Sequence, residues 1–150
     1  MSEIIPGKKF DFGECILSEE DIISFAKAFD PLPFHTDKRL AGQTIFKGLI
    51  ASGPHLFNHF YQREWLPRFG KTVICGLGVS NWKFIKPVYA NRKIHCSLII
   101  LSLKPDDKID GTAVSWLFEF FNEKKELVQV LQMDVMHHLN QPWRAVDNSQ

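Results

Sequence analysis

The sequence predicts a single α+β domain in which one substantial helix packs on an antiparallel sheet. Three observations carry that expectation. Helical spacing, caps and loop signals occupy the stretch from Ser18 to about Trp65. From about Val73 onward the pattern changes to strands separated by polar turns. The chain has 150 residues, 45% hydrophobic and 23% charged, which suits one filled core and is too short for two ordinary domains. The domain is therefore expected to span residues 1–150, with its core at about 10–140.

The first helix opens on Ser18, with Asp21 three residues later and Glu19 and Glu20 adding negative charge to the first turn. Ile22, Phe25, Ala26 and Phe29 follow at helical spacing. Pro31 disfavours helical geometry at Asp30, so the helix should end there. Pro31 and Pro33 then predict a stiff, largely extended loop from Asp30 to His35. A short helix is expected around Asp37–Ala41, followed by a loop marked by Gly42 and Gly48.

A second helix should start near Ser52, with Gly53 as its cap and Pro54 at the first helical position. Leu56, Phe57, Phe60 and Tyr61 would line one face, and Pro67 would close the segment. Strands are predicted at Leu77–Phe84, Ile94–Leu103, Ala113–Asn122 and Leu127–His138. Lys104–Asp107 and Asn122–Lys125 read as the turns between them. Trp116, Phe118 and Phe120 recur at period 2 on one strand face. The last residues, from about Arg144 to Gln150, read as a frayed tail.

Charge narrows the functional classes. Eighteen Lys and Arg against 17 Asp and Glu leave a net charge of +1, without the clustered cations that a nucleic-acid or other polyanion binder needs. No apolar run approaches the roughly 20 residues that cross a bilayer, and no signal peptide is visible. Cys15, Cys75 and Cys96 are odd in number and form no CxxC pair, so free thiols and a cytoplasmic setting are expected. Cys75 and Cys96 read as buried small hydrophobes. Thirteen Phe and four Trp, beside two Tyr, supply more aromatic area than a small core alone needs, as an interface or an apolar ligand tunnel would use.

Asp30 and His35 are the sharpest candidates for chemistry. A carboxylate and an imidazole on one proline-stiffened loop make an acid/base pair that can share a water. A helix-terminating Asp and a His bound to a backbone carbonyl account for the same residues. Ile50–Pro54 leads into an apolar helix whose first N–H groups can receive a polarised carbonyl oxygen; Pro54 has none, leaving Gly53 and His55, unless this is an ordinary cap. His55 and His59 lie four apart, but no HExxH motif or third ligand accompanies them, so no metal and no cofactor are expected. His137 and His138 should point to opposite strand faces. Lys83, Lys86 and Arg92 interleave with Trp82, Phe84 and Tyr89, which suits a phosphate-bearing ligand or simply a solvated strand face.

Together these segments resemble the MaoC-like dehydratases, which include the (R)-specific enoyl-CoA hydratases. The family pattern has a helix end, then G-D-x-N-P-[LIV]-H, then an Ala six residues after the His. Here Asp30-Pro31-Leu32-Pro33-Phe34-His35 is followed by Asp37 and Ala41, matching the subfamily form D-P-x-P-F-H-x-D. Phe46-Lys47-Gly48-Leu49-Ile50-Ala51-Ser52-Gly53 resembles the F-G-x-x-I-A-[HS]-G segment, with Lys47 in place of its first glycine. Phe84-Ile85-Lys86-Pro87-Val88 resembles the F-x-x-P-V strand, and the likeness runs from about Leu17 to Leu139.

The resemblance implies a hot-dog fold, a curved antiparallel sheet wrapped around a central helix, and a homodimer or higher homo-oligomer with sheets joined edge to edge. It implies that Asp30 and His35 activate the water added to, or removed from, a 2-enoyl thioester of CoA or acyl carrier protein. The Gly53 N–H would polarise the thioester carbonyl, and Pro33, Phe34, Ser52, His55, Phe57 and Phe60 would contact the substrate. Neither nucleic acid nor a membrane is an expected partner. The chain departs from the pattern at Phe29, where the family has Gly, at Leu32, where it has Asn or Gln, and at Tyr89-Ala90-Asn91, where its x-x-G-D turn is absent. A hot-dog thioesterase and a non-catalytic acyl-thioester binding or assembly subunit are the alternatives.

Overall fold

A computed structural model describes residues 4–140 of the chain. Five strands form one sheet: β1 (Lys9–Ile16), β2 (Val73–Phe84), β3 (Lys93–Asp106), β4 (Gly111–Phe121) and β5 (Leu127–His137). Their order is β1-β3-β4-β5-β2, and every neighbouring pair is antiparallel. Helices α1 (Glu19–Phe29), α2 (Pro33–Thr36) and α3 (Lys38–Gly42) precede the central helix α4 (Gly53–Phe60). A π turn (Tyr61–Trp65), α5 (Leu66–Phe69) and a 3-10 turn (Gly70–Thr72) then lead into β2. Among the described residues, no helix is long and apolar enough to cross a membrane.

Aromatic area joins the central helix to the sheet. Trp116, Phe118 and Phe120 all face inward from β4 and are fully buried. The helical segment meets them in series: Phe57 packs on Phe118 at 5.2 Å between ring centroids, Phe60 on Phe120 at 5.8 Å and Trp65 on Trp116 at 5.5 Å. Each such side chain contributes about 1.5–3 kcal/mol on burial, so this seam is a principal hold on α4.

The sequence expectations need six corrections. No strand was expected at β1, where Phe10 and Phe12 do alternate with Asp11. That period breaks at a bulge between Asp11 and Glu14, built on Gly13 at φ 76°. The loop from Asp30 to His35 is not extended throughout, because Pro33 sits in the first turn of α2, where its missing N–H costs nothing. Helix α4 is capped by Ser52 rather than Gly53, which is its first helical residue.

Pro67 does not close the helical segment. The Leu66 N–H reaches back to the Tyr61 carbonyl across the π turn, so Pro67 falls in the first turn of α5. Cys75 is exposed on edge strand β2, whereas Cys96 is buried as expected. The Lys104–Asp107 break also comes later, since β3 runs to Asp106. Pairing with β1 stops at Ile99, so Pro105, which lacks an N–H, occupies an open edge. The tail from Arg144 to Gln150 lies outside the described residues.

Candidate active site

Helix α1 delivers Asp30. Ser18 caps its start, accepting the Asp21 N–H at 3.1 Å, and Asp30 ends it, donating its own N–H to the Ala26 carbonyl at 2.8 Å. One turn of α2 then carries His35 back beside Asp30, leaving His35 Nε2 at 3.5 Å from Asp30 Oδ2. That separation is too long for a good direct hydrogen bond and leaves no room between the two atoms, so one water lying beside them can reach both through bent hydrogen bonds.

A backbone carbonyl fixes the imidazole. His35 Nδ1 lies 2.7 Å from the Ile50 oxygen, and a carbonyl can only accept. The proton is therefore on Nδ1, and in neutral His35 the Nε2 facing Asp30 offers a lone pair. Both readings of this residue meet here, since the carbonyl bond that satisfies the ring also aims it. The His35 side chain is buried, while that of Asp30 is 32% exposed, so the pair opens to solvent on the carboxylate side.

Ser52 links this pair to α4. A capping serine ordinarily accepts an N–H from its own helix. The Ser52 hydroxyl instead donates to Asp30 Oδ2 at 2.9 Å, and it makes no cap bond. The N–H groups of His55 and Leu56 turn back to the Ser52 carbonyl at 3.1 and 3.3 Å. Pro54 has no N–H. Of the two expected donors, His55 is thus committed, and the Gly53 N–H is left without an acceptor among the described residues.

The remaining predicted contacts separate. Phe34 packs against His35 with ring centroids 4.5 Å apart, and Pro33 opens the same turn. His55 stacks on Phe25 at 4.4 Å, where burial, aided by neighbouring His59, lowers its pKa. Phe57 is half-buried between Trp82 and Phe118, and Phe60 is wholly buried against the sheet. Lys86 is paired with Glu126.

Sequence reasoning overlooked Gln129. Its side chain is buried on β5 and donates to the Gly53 carbonyl at 3.0 Å. An amide among Val128, Val130 and Leu131 was the available signal. Its cross-strand neighbour Phe84 covers Gly53 from the other side, so closely that a Cβ on residue 53 would overlap the ring.

Fold and site define a hot-dog domain with a carboxylate–imidazole pair at the mouth of its central helix. Residues 2–114 match the family model described as the MaoC like domain, and the chain belongs to that family. A curated relative, the uncharacterized protein YdeM of Bacillus subtilis (strain 168), is 28% identical over 138 residues, covering 91% of this chain and 96% of its own. The crystal structure of a MaoC-like dehydratase from Rhodospirillum rubrum superposes with a TM-score of 0.79 at 26% identity, covering 91% of this chain and 94% of that one. The (R)-hydratase PhaJ1 from Pseudomonas aeruginosa shares the fold with a TM-score of 0.73 at 23% identity, over 91% and 83% of the two chains. The family match and the Rhodospirillum rubrum dehydratase support a hydratase or dehydratase family, while the PhaJ1 likeness shows the fold alone.

Proposed function

We propose that the protein adds water to, or removes it from, the 2,3 double bond of an enoyl thioester carried by CoA or acyl carrier protein. The observation that carries this reading is the Asp30–His35 pair, two acceptors 3.5 Å apart, with Ser52 tying Asp30 to the start of α4, where the Gly53 N–H has no acceptor among the described residues. A water bridging the pair from its open side donates one hydrogen to Asp30 and the other to His35 Nε2, which leaves an oxygen lone pair directed at the β-carbon. As the C–O bond forms, the π electrons of the double bond move toward the thioester oxygen, and the Gly53 N–H and the start of α4 stabilise that charge. The α-carbon then takes the proton held by the pair, so OH and H have been added and both side chains return to their starting state.

Strand β2 supports a dimer in this reading. It is a sheet edge of 12 residues that exposes Leu77, Val79 and Phe84, the kind of edge that a second copy covers by continuing the sheet. Half-buried Phe57 on the central helix would contact the acyl chain, in a cytoplasmic setting.

Purified protein mixed with trans-2-enoyl-CoA of short and medium chain length tests the assignment. The expected result is loss of the conjugated thioester absorbance with no release of thiol. Thiol release would mark a thioesterase, and acyl-CoA binding without turnover at any length would mark a binding subunit.

A further inference from the structure

Two neighbours on the sheet converge on Gly53, whose N–H has no acceptor among the described residues. Phe84 on β2 and Gln129 on β5 are directly opposed in the antiparallel register, so their side chains share a face. Phe84 lays its ring against the Gly53 Cα, although 61% of the residue stays exposed. Gln129, only 2% exposed, donates Nε2–H to the Gly53 oxygen at 3.0 Å. The partner is a carbonyl, so the NH2 end of the amide must face it.

We propose that Gln129, with Phe84, forms a clamp that sets the direction of the Gly53 N–H, which makes Gln129 a positioning residue for the thioester carbonyl. This inference rests on the hydratase reading above. Gly53 lies between two anchors. On its N-terminal side the Ser52 hydroxyl is tied to Asp30, and on its C-terminal side its own carbonyl is tied to Gln129. Ring contact at Cα blocks translation between them. The N–H is thereby held in a fixed relation to the water-activating carboxylate, and a donor to an oxyanion gains its strength from such preorganisation. Gln129 also explains itself on these terms, since a buried amide is costly unless it is bound. The glycine is required by the ring, because Gly53 is not among the residues with positive φ.

Ser52-Gly53 is the single Ser-Gly pair in the sequence, so carbonyl-13C serine with 15N glycine labels one amide, that of Gly53. In Gln129→Met, which keeps bulk and removes the donor, this resonance should move and its solvent exchange accelerate. In the same variant kcat for enoyl-CoA hydration should fall by between about tenfold and a hundredfold, with KM within about threefold of wild type. A Gly53 resonance and a kcat both unchanged would overturn the clamp. Should Gln129→Met fail to fold, Gln129→Glu keeps the shape and loses the donor when ionised; an unmoved resonance at high pH would equally overturn it. If wild type hydrates nothing while the Gly53 resonance still moves in the variant, the clamp stands and the hydratase reading falls.

Discussion

The Ser52 hydroxyl donates to Asp30 Oδ2 across 2.9 Å, so the residue that begins α4 also holds the carboxylate that ends α1. Ser52→Ala removes that donor and leaves Asp30 free to rotate. Asp30 is partly exposed and can turn to water, so stability should drop by only about 1 kcal/mol. Turnover should suffer more, by about tenfold or greater, because the water is then held at one end only. Thermal melting and kcat on the same preparation check this. Equal activity in both proteins would mean that the bond is incidental to the chemistry.

Phe84 and Gly53 should be coupled. Gly53→Ala places a methyl inside the space of the Phe84 ring and should cost about 1–3 kcal/mol along with activity. Phe84→Ala opens that space. The double variant should therefore be more stable than the sum of the single changes predicts, by about 1 kcal/mol or more. Urea midpoints of the four proteins measure the difference, and simple additivity would show that the ring yields freely.

His137 gives the fold an acid limb. Trp116 Nε1–H donates to His137 Nε2 at 3.2 Å, so the proton sits on Nδ1 and is donated to Thr72 Oγ1 at 2.9 Å. Burial lowers the pKa of this imidazole to about 4 from an ordinary 6.5. Above pH 6.5 it is neutral in folded and unfolded chains alike. Below that pH the unfolded chain takes a proton that the folded core refuses, so stability falls until about pH 4, by up to about 3 kcal/mol in all. His55 and His59, whose pKa values are also lowered chiefly by burial, act in the same direction. Urea unfolding at pH 7.5 and 5 should show this loss, and His137→Gln should reduce it. An identical decline in the variant would assign the acid limb elsewhere.

The parts that the sequence made legible are those where local chemistry and tertiary packing agree. Ser18 and Asp30 bound α1 because a cap and a proline act on adjacent backbone, whatever the rest of the chain does. Trp116, Phe118 and Phe120 kept strict alternation because one face of β4 meets the central helix. Strand β1 was hidden by its own bulge at Gly13. The π turn ahead of Pro67 has no compositional signature.

At the site, Asp30, His35 and Gly53 were readable as chemistry on a stiff loop and a helix start. Gln129 was not, because its meaning comes from a contact 76 residues away. Lys47 shows the converse. It stands where the resembled pattern has glycine and adopts φ 58°, a conformation that glycine reaches most easily.

The most direct test of the proposed chemistry compares wild type with Asp30→Asn on trans-2-enoyl-CoA, following absorbance and melting temperature together. Asn keeps the size of the side chain and can still accept from Ser52, but it cannot take a proton from water. Wild type should consume the substrate, and Asp30→Asn should be slower by at least about a hundredfold at nearly the same melting temperature. An equally active Asp30→Asn would contradict the assignment of Asp30, and a wild type that consumes no enoyl thioester would contradict the proposed hydration itself.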